Sequence, residues 1–308
     1  MKLLITGAFS YTEKQIESLQ NLGFEISFIE REDGVLDVDV SQIDCVVCNW
    51  LMVHHDVSQF KSLKCIQLLS AGLERVPVDY IKGKDIALYN ARGVYSIPMA
   101  EFAICSVLQL YKDSREIALQ QKKRIWAKRR DLLELHDKRV LILGVGSVGT
   151  EVAKRFAAFT DKVYGVDLFP KGTEGFREVY PISYLDEELF ESDVVVITLP
   201  LTDETENLID KKRLSNMKKG AVLINIARGG IVDEDGLVEA LNGHLKGAAV
   251  DVFAEEPLPM ESKLWECENL IISPHNSFVS DGNDNRMWNC IYSNLKNFLK
   301  NFSSASKP

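Results

Sequence analysis

Three short segments toward the end of the chain carry the side chains best suited to moving a proton and holding a small anion. They are Ile224-Asn-Ile-Ala-Arg228-Gly-Gly, Asp251-Val-Phe-Ala-Glu-Glu256-Pro and Ser273-Pro-His275-Asn-Ser. Each follows or closes an apolar run that reads as a β-strand. Each therefore belongs at the carboxyl end of a strand, which is the ligand side of an open α/β sheet. Together they offer an arginine, a carboxylate and a histidine. That set suits reduction of a 2-keto acid, where a hydride goes to the carbonyl carbon and a proton to its oxygen. A protonated imidazole can give that proton. A carboxylate beside it favours the imidazolium. A guanidinium can hold a carboxylate or keto oxygen through two parallel hydrogen bonds. Taken singly, each residue has a plainer reading: Arg228 as a surface turn residue, Glu256 as a solvated loop acid, His275 as a structural loop histidine.

The joint reading is favoured by what precedes these segments. Leu141-Ile-Leu-Gly-Val-Gly-Ser-Val-Gly149 places Gly144, Gly146 and Gly149 in a G-x-G-x-x-G spacing after an apolar strand and before a helix. Asp167 closes the next apolar run, at about the twenty-residue distance of the dinucleotide fingerprint. Gly144 permits the tight turn, Gly146 lets backbone approach a pyrophosphate, and Gly149 lets the helix pack close. Glu151 to Phe159 reads as the helix, whose N-terminal N–H groups suit phosphate, and Ser147 and Val148 in the glycine loop are candidate cofactor contacts. A carboxylate at 167 accepts hydrogen bonds from ribose hydroxyls and repels a 2′-phosphate, so NAD is favoured over NADP. Lys171 lies nearby but follows Pro170.

These residues need elements to hold them. The first hundred residues alternate apolar strands (Leu3–Thr6, Glu25–Ile29, Cys45–Val47, Cys65–Leu68, Ile86–Tyr89) with helical stretches such as Thr12–Asn21. This implies a doubly wound parallel sheet, here without a phosphate-binding glycine loop. From Pro98 an i, i+3, i+4 apolar pattern predicts a long helix, the candidate for the first crossing between domains. A second series then supplies six strands: Val140–Val145, Lys162–Val166, Val194–Leu199, Ala221–Ile226, Gly247–Val252 and Leu270–Ser273. A last helix, apolar from Met287 to Phe302, is expected to return to the first domain, ahead of a polar tail, Ser303–Pro308. The fold expected is α/β, with a flavodoxin-like catalytic domain (residues 1–97 and 276–308) and an inserted Rossmann dinucleotide-binding domain (98–275).

The chain of 308 residues is 46% hydrophobic and 26% charged, with a formal net charge of −9. That disfavours nucleic acid or an anionic membrane as the main partner. The basic cluster Lys122-Lys-Arg124 with Lys128-Arg-Arg130 reads as a solvated helical face. No apolar run approaches the roughly 20 residues that span a bilayer. The amino terminus reads as one strand rather than a signal peptide. The six cysteines are scattered, as expected of reduced, cytoplasmic protein. Cys45 and Cys48 have C-x-x-C spacing, but residues three apart on a strand point to opposite faces. No metal site is expected.

The sequence resembles the D-2-hydroxyacid dehydrogenase family over nearly its whole length. The resemblance rests on the glycine loop, Leu199-Pro-Leu-Thr-Asp-Glu-Thr205, Asn225-Ile-Ala-Arg-Gly-Gly-Ile-Val-Asp-Glu234, Asp251-Val-Phe-Ala-Glu-Glu-Pro-Leu258 and Ser273-Pro-His275, with Ser70-Ala-Gly72 and Ala100-Glu101 in the first domain. It implies His275 as general acid/base, Glu256 as its partner and Arg228 as the substrate-orienting group. It implies backbone N–H groups around Ala71 and Gly72 for the substrate carboxylate. It further implies cofactor contacts at Leu199, Pro200, Thr205, Ile226 and Ala227, with Asp251 at the nicotinamide carboxamide and Asp167 at the adenosine ribose. The partners implied are a small 2-keto or 2-hydroxy acid and a second copy of the chain. One departure follows His275, where Asn276-Ser-Phe278 replaces the family's usual small residues; Phe278 is a candidate to narrow the pocket. Trp50, Arg92 and Tyr95 are further pocket candidates, each with a packing or exposed-surface alternative. Two other functions fit the scaffold: an NAD(H)-sensing, corepressor-like binding protein, and a dehydrogenase of formate or phosphite.

Overall fold

The structure is a computed structural model and describes residues 1–305. The chain divides into two compact units, Met1–Tyr95 with the segment from Ser280 onward, and Ser96–Val279.

The first unit is built on five parallel strands, β1 (Lys2–Thr6), β2 (Glu25–Ile29), β3 (Cys45–Cys48), β4 (Cys65–Leu68) and β5 (Ala87–Tyr89), in the order β2-β1-β3-β4-β5. This is the flavodoxin-like order. Strands covered on both faces read as unbroken apolar runs, and β3 and β4 are buried throughout. On one face Leu3, Ile5, Cys45 and Val47 pack with Leu19 of α1 (Glu13–Asn21) and with Met287, Ile291, Leu295 and Phe298 of the terminal helix, Asn283–Ala305. On the other, Leu4, Val46, Cys48 and Ile66 pack with Leu51 of α2 (Leu51–His54) and Ile81 of α3 (Val78–Gly83). Cys45 and Cys48 thus belong to different cores, which removes a shared redox or metal role. Helix α1 starts on a capping box: the Thr12 hydroxyl accepts the Gln15 N–H, and the Gln15 side chain accepts the Thr12 N–H. The polar tail begins inside the terminal helix and, from residue 306, lies outside the described residues.

The second unit holds seven parallel strands: β6 (Val140–Leu143), β7 (Val163–Asp167), β8 (Glu178–Pro181), β9 (Val194–Ile197), β10 (Val222–Asn225), β11 (Gly247–Val250) and β12 (Leu270–Ile272). Their order, β12-β11-β10-β9-β6-β7-β8, reverses direction between β6 and β9. That switch point is where ligands of such sheets bind. Helices α4 (Ser96–Tyr111), α5 (Ser114–Lys122), α6 (Ser147–Phe156), α7 (Leu185–Glu191), α8 (Lys211–Asn216) and α9 (Glu234–Gly243) complete it. Ala100, Ala103, Val107 and Tyr111 of α4 pack with Val152 and Phe156 of α6 over β6, β9 and β10.

Several particulars differ from the sequence-based expectation. Strand β8 lies outside the six expected strands, because Glu178-Val-Tyr-Pro is an edge strand with no apolar run. The basic cluster is exposed but not a helical face. Helix α5 ends at Lys122, Arg124 has φ +56°, and Lys128 to Arg130 lie in irregular chain where Arg129 pairs with Asp113 (2.7 Å) and Asp131 (2.9 Å). The unit divisions fall at 95/96 and 279/280 rather than 97/98 and 275/276. Asn276 and Ser277 stay with the second unit because their backbone N–H groups bond Asp251. No helix among the described residues is long and apolar enough to cross a membrane.

Candidate active site

The glycine turn between β6 and α6 is shaped by close packing. Gly144 has φ +99°, a region that disfavours a side chain. A Cβ on Gly149 would lie 2.0 Å from the Gly144 carbonyl oxygen, so only glycine lets α6 approach the turn. Thr198, just past β9, contacts the Leu143 and Gly144 carbonyl oxygens through its hydroxyl at 3.0 and 2.9 Å. At Gly146 the situation is reversed: a Cβ there would meet no atom within 4 Å. The N-terminus of α6 has no side-chain cap. The N–H groups of Ser147 and Val148 precede any intrahelical acceptor, so this end favours an anion. A dinucleotide pyrophosphate fits these features.

Asp167 closes β7. Its carboxylate accepts the Val145 N–H at 2.7 Å and the Phe169 N–H at 2.9 Å, tying the end of β7 to the glycine turn. Leu199 is buried at the end of the β9 segment. Thr205 is 2% exposed, and its hydroxyl donates to the Pro200 carbonyl (2.6 Å) and accepts the Thr202 N–H (2.8 Å). Its side chain therefore shapes the loop that presents Pro200.

The arginine, carboxylate and histidine follow three adjacent strands. After β10, buried Asn225 folds the turn: its amide donates to the Arg228 carbonyl (3.0 Å) and its Oδ1 accepts the Ala227 N–H (3.1 Å). Ile226 and Ala227 are buried in that turn, and an Arg228 guanidinium nitrogen donates to the Ala227 carbonyl at 2.7 Å. A Cβ on Gly229 would fall 1.9 Å from the Phe253 carbonyl carbon, so the β10 loop lies directly on the β11 loop. In the β11 loop Glu256 accepts the Phe253 N–H through Oε1 (3.0 Å) and meets His275 Nδ1 through Oε2 (2.8 Å). His275 follows β12. Its side chain is 43% exposed and that of Glu256 is 37% exposed, so the pair is open to a ligand. The Phe278 ring stands edge-on to the imidazole, with centroids 6.0 Å apart at 86°. Asp251, by contrast, is buried.

Residues 104–277 match the family model described as the D-isomer specific 2-hydroxyacid dehydrogenase NAD-binding domain. The chain belongs to this family. It is 35% identical over 221 residues to a D-3-phosphoglycerate dehydrogenase of Bacillus subtilis, covering 71% of this chain and only 42% of that one. It is 34% identical over 240 residues to glyoxylate/hydroxypyruvate reductase B of Pectobacterium carotovorum, covering 76% and 75% of the two chains. Among solved structures, a D-isomer specific 2-hydroxyacid dehydrogenase family protein of Aeromonas salmonicida superposes with a TM-score of 0.82 at 28% identity, over 97% of this chain and 96% of that one.

In this family member the remaining candidates line the carboxyl ends of β3, β4 and β5 in the first unit. After β4 come Ala71, whose carbonyl accepts the Asn90 amide (2.6 Å), and Gly72, whose carbonyl accepts the Ser70 hydroxyl (2.9 Å). After β3, half-exposed Trp50 carries the Arg75 guanidinium 4.0 Å above its ring. After β5, Arg92 is exposed, whereas the Tyr95 hydroxyl donates to the Leu69 carbonyl at 2.7 Å. Burial pushes the Tyr95 phenol above its ordinary pKa, which keeps it a neutral donor. The sequence gives no sign of the place of Arg75 over Trp50, nor of the bonds from Ser273 and Ser277 to Asp251. Nothing in local composition marks them, because their partners are reached only through folded loops.

Proposed function

We propose that the protein is an NAD-dependent reductase of small 2-keto acids, yielding D-2-hydroxy acids. The observation that carries this is the Glu256–His275 pair at 2.8 Å, beside the Arg228 turn and downstream of a glycine loop that suits a pyrophosphate. Bound NADH supplies the hydride. With Nδ1–H donated to Glu256, the imidazole keeps Nε2 for the substrate oxygen, to which it would give a proton. Arg228 orients the substrate by bonding its carboxylate and keto oxygen. The α6 N-terminus receives the pyrophosphate. The backbone near Ile226 adjoins the nicotinamide, Asp167 adjoins the adenosine ribose, and Ala227, Leu199, Pro200 and Thr205 are further cofactor contacts.

The same reading takes NAD over NADP, because a 2′-phosphate would face the Asp167 carboxylate. It extends to a cytoplasmic homodimer, supported respectively by the thiol state of the cysteines and by the sequence resemblance. The test is a panel of 2-keto acids (glyoxylate, hydroxypyruvate, pyruvate, 3-phosphohydroxypyruvate and phenylpyruvate) offered with NADH and NADPH in parallel. NADH oxidation with at least one small 2-keto acid is expected. Faster oxidation of NADPH would reverse the cofactor reading, and no oxidation with any pair would overturn the activity.

A further inference from the structure

The turn after β10 is folded by one side chain. Asn225 ends that strand and is 1% exposed. Its amide nitrogen donates to the Arg228 carbonyl at 3.0 Å, and its Oδ1 accepts the Ala227 N–H at 3.1 Å. Its own main chain belongs to the sheet, where its carbonyl accepts the Asp251 N–H at 3.0 Å. The sheet also holds Ile226, whose N–H donates to the Ile197 carbonyl at 3.4 Å. The ladder therefore places Ile226, and the Asn225 side chain places the two residues that follow.

A peptide group is rigid and planar. Asn225 pins the peptide before Ala227 by its N–H and the peptide after Arg228 by its carbonyl. The peptide between them turns only within that bracket. Its carbonyl, that of Ala227, accepts the Arg228 guanidinium at 2.7 Å. The Arg228 carbonyl also accepts the Ile231 N–H, at a longer 3.4 Å. Beyond Arg228 the turn has no room to shift toward the β11 loop, since a Cβ on Gly229 would fall 1.9 Å from the Phe253 carbonyl carbon. A hydroxyl works through a single atom and an ionised aspartate only accepts, so this pair of bonds calls for an amide.

We infer that Asn225 is a positioning residue that acts on the reaction through the place of the Arg228 guanidinium. The inference rests on the 2-keto acid reductase reading above, in which Arg228 orients the substrate. It separates the two substrates. A displaced Arg228 handles the keto acid poorly. NADH is largely spared, because the backbone of Ile226 stays on the sheet.

The experiment compares full-length Asn225→Ala with the wild type, using its best 2-keto acid. It measures kcat, both KM values and NADH affinity by fluorescence titration. Asn225→Ala should lower kcat/KM for the keto acid about 10–100-fold, since a misplacement of about 1 Å costs on the order of 100-fold. Most of that loss should lie in a raised keto acid KM, with NADH affinity nearly unchanged. In an Arg228→Ala background, Asn225→Ala should add little further loss, because both changes act through one guanidinium. A general structural role would instead lower NADH affinity in step with kcat/KM and would multiply with the Arg228 loss. Either of those results, or an unchanged kcat/KM for the keto acid, overturns the inference. If Asn225→Ala fails to fold, Asn225→Ser decides by the same readouts, because it keeps an acceptor for the Ala227 N–H and loses the amide donor to Arg228. An active wild type that is indifferent to Arg228→Ala overturns the inference while leaving the reductase reading in place. A wild type inert toward every 2-keto acid sinks that reading, and this inference with it.

Discussion

On the proposed function, one carboxylate at Asp167 has two tasks. It accepts the Val145 and Phe169 N–H groups, which fixes the glycine turn against the end of β7. It is also the group that would meet the adenosine ribose. Hydrogen bonds to a charged acceptor contribute about 1.5–3 kcal/mol. Asp167→Ala should therefore weaken NADH binding about tenfold or more, and NADPH binding distinctly less, since repulsion of a 2′-phosphate disappears at the same time. Equal losses for the two nucleotides, in parallel titrations, would mean that Asp167 serves only the turn. Residues of this kind were legible from sequence because spacing constrains them: glycines at 144, 146 and 149, then an acid closing the next strand. Arg228, Glu256 and His275 were legible for a similar reason, each following an apolar strand. The bonds that place them were not legible. Nothing in Ser273-Pro-His275-Asn-Ser277 reveals that four of its five residues bond the acid at 251.

Among elements, the first sheet shows how a single polar residue can set register where apolar runs cannot. β1, β3 and β4 are largely apolar on both faces, so a slip would cost them little alternation. Asp44, immediately before β3, ties their amino ends together. It accepts the Lys2 N–H at 2.8 Å and the Lys64 ammonium at 2.5 Å, while its backbone bonds both neighbours. Partial burial pushes the Asp44 carboxyl up, but Lys64 and the Lys2 N–H outweigh this, and its pKa lies below the usual carboxylate range. A lowered pKa means that the charged form stabilises the fold. The contribution is full above the ordinary carboxylate pKa and disappears as pH falls through the lowered one. Asp44→Asn should lower the thermal midpoint by about 2–4 °C at neutral pH, as expected for a change near 1 kcal/mol, and the gap should close in strong acid. A gap that is independent of pH would assign the loss to packing instead. At this scale the central strands could be read from sequence, whereas β8 and the irregular chain after α5 could not. Edge strands need no apolar run, and the Arg129 pairs that hold the basic segment join positions no local pattern connects.

Across the whole molecule, a chain with net charge −9 is read as handling two anions, a dinucleotide and a keto acid. General attraction cannot hold them, so the fold must supply local positive ends: the uncapped N-terminus of α6 and the Arg228 guanidinium. These features follow the carboxyl ends of strands in the family's doubly wound NAD-binding unit. On the proposed function, His275 delivers the proton while the rest of the unit binds and orients. It is tested most directly by steady-state NADH oxidation in His275→Ala, with NADH affinity measured on the same preparation. General acid catalysis is worth about 10²–10⁴-fold, so kcat should fall by that order while NADH binds as in the wild type. A variant that keeps near-native kcat would remove His275 from proton delivery.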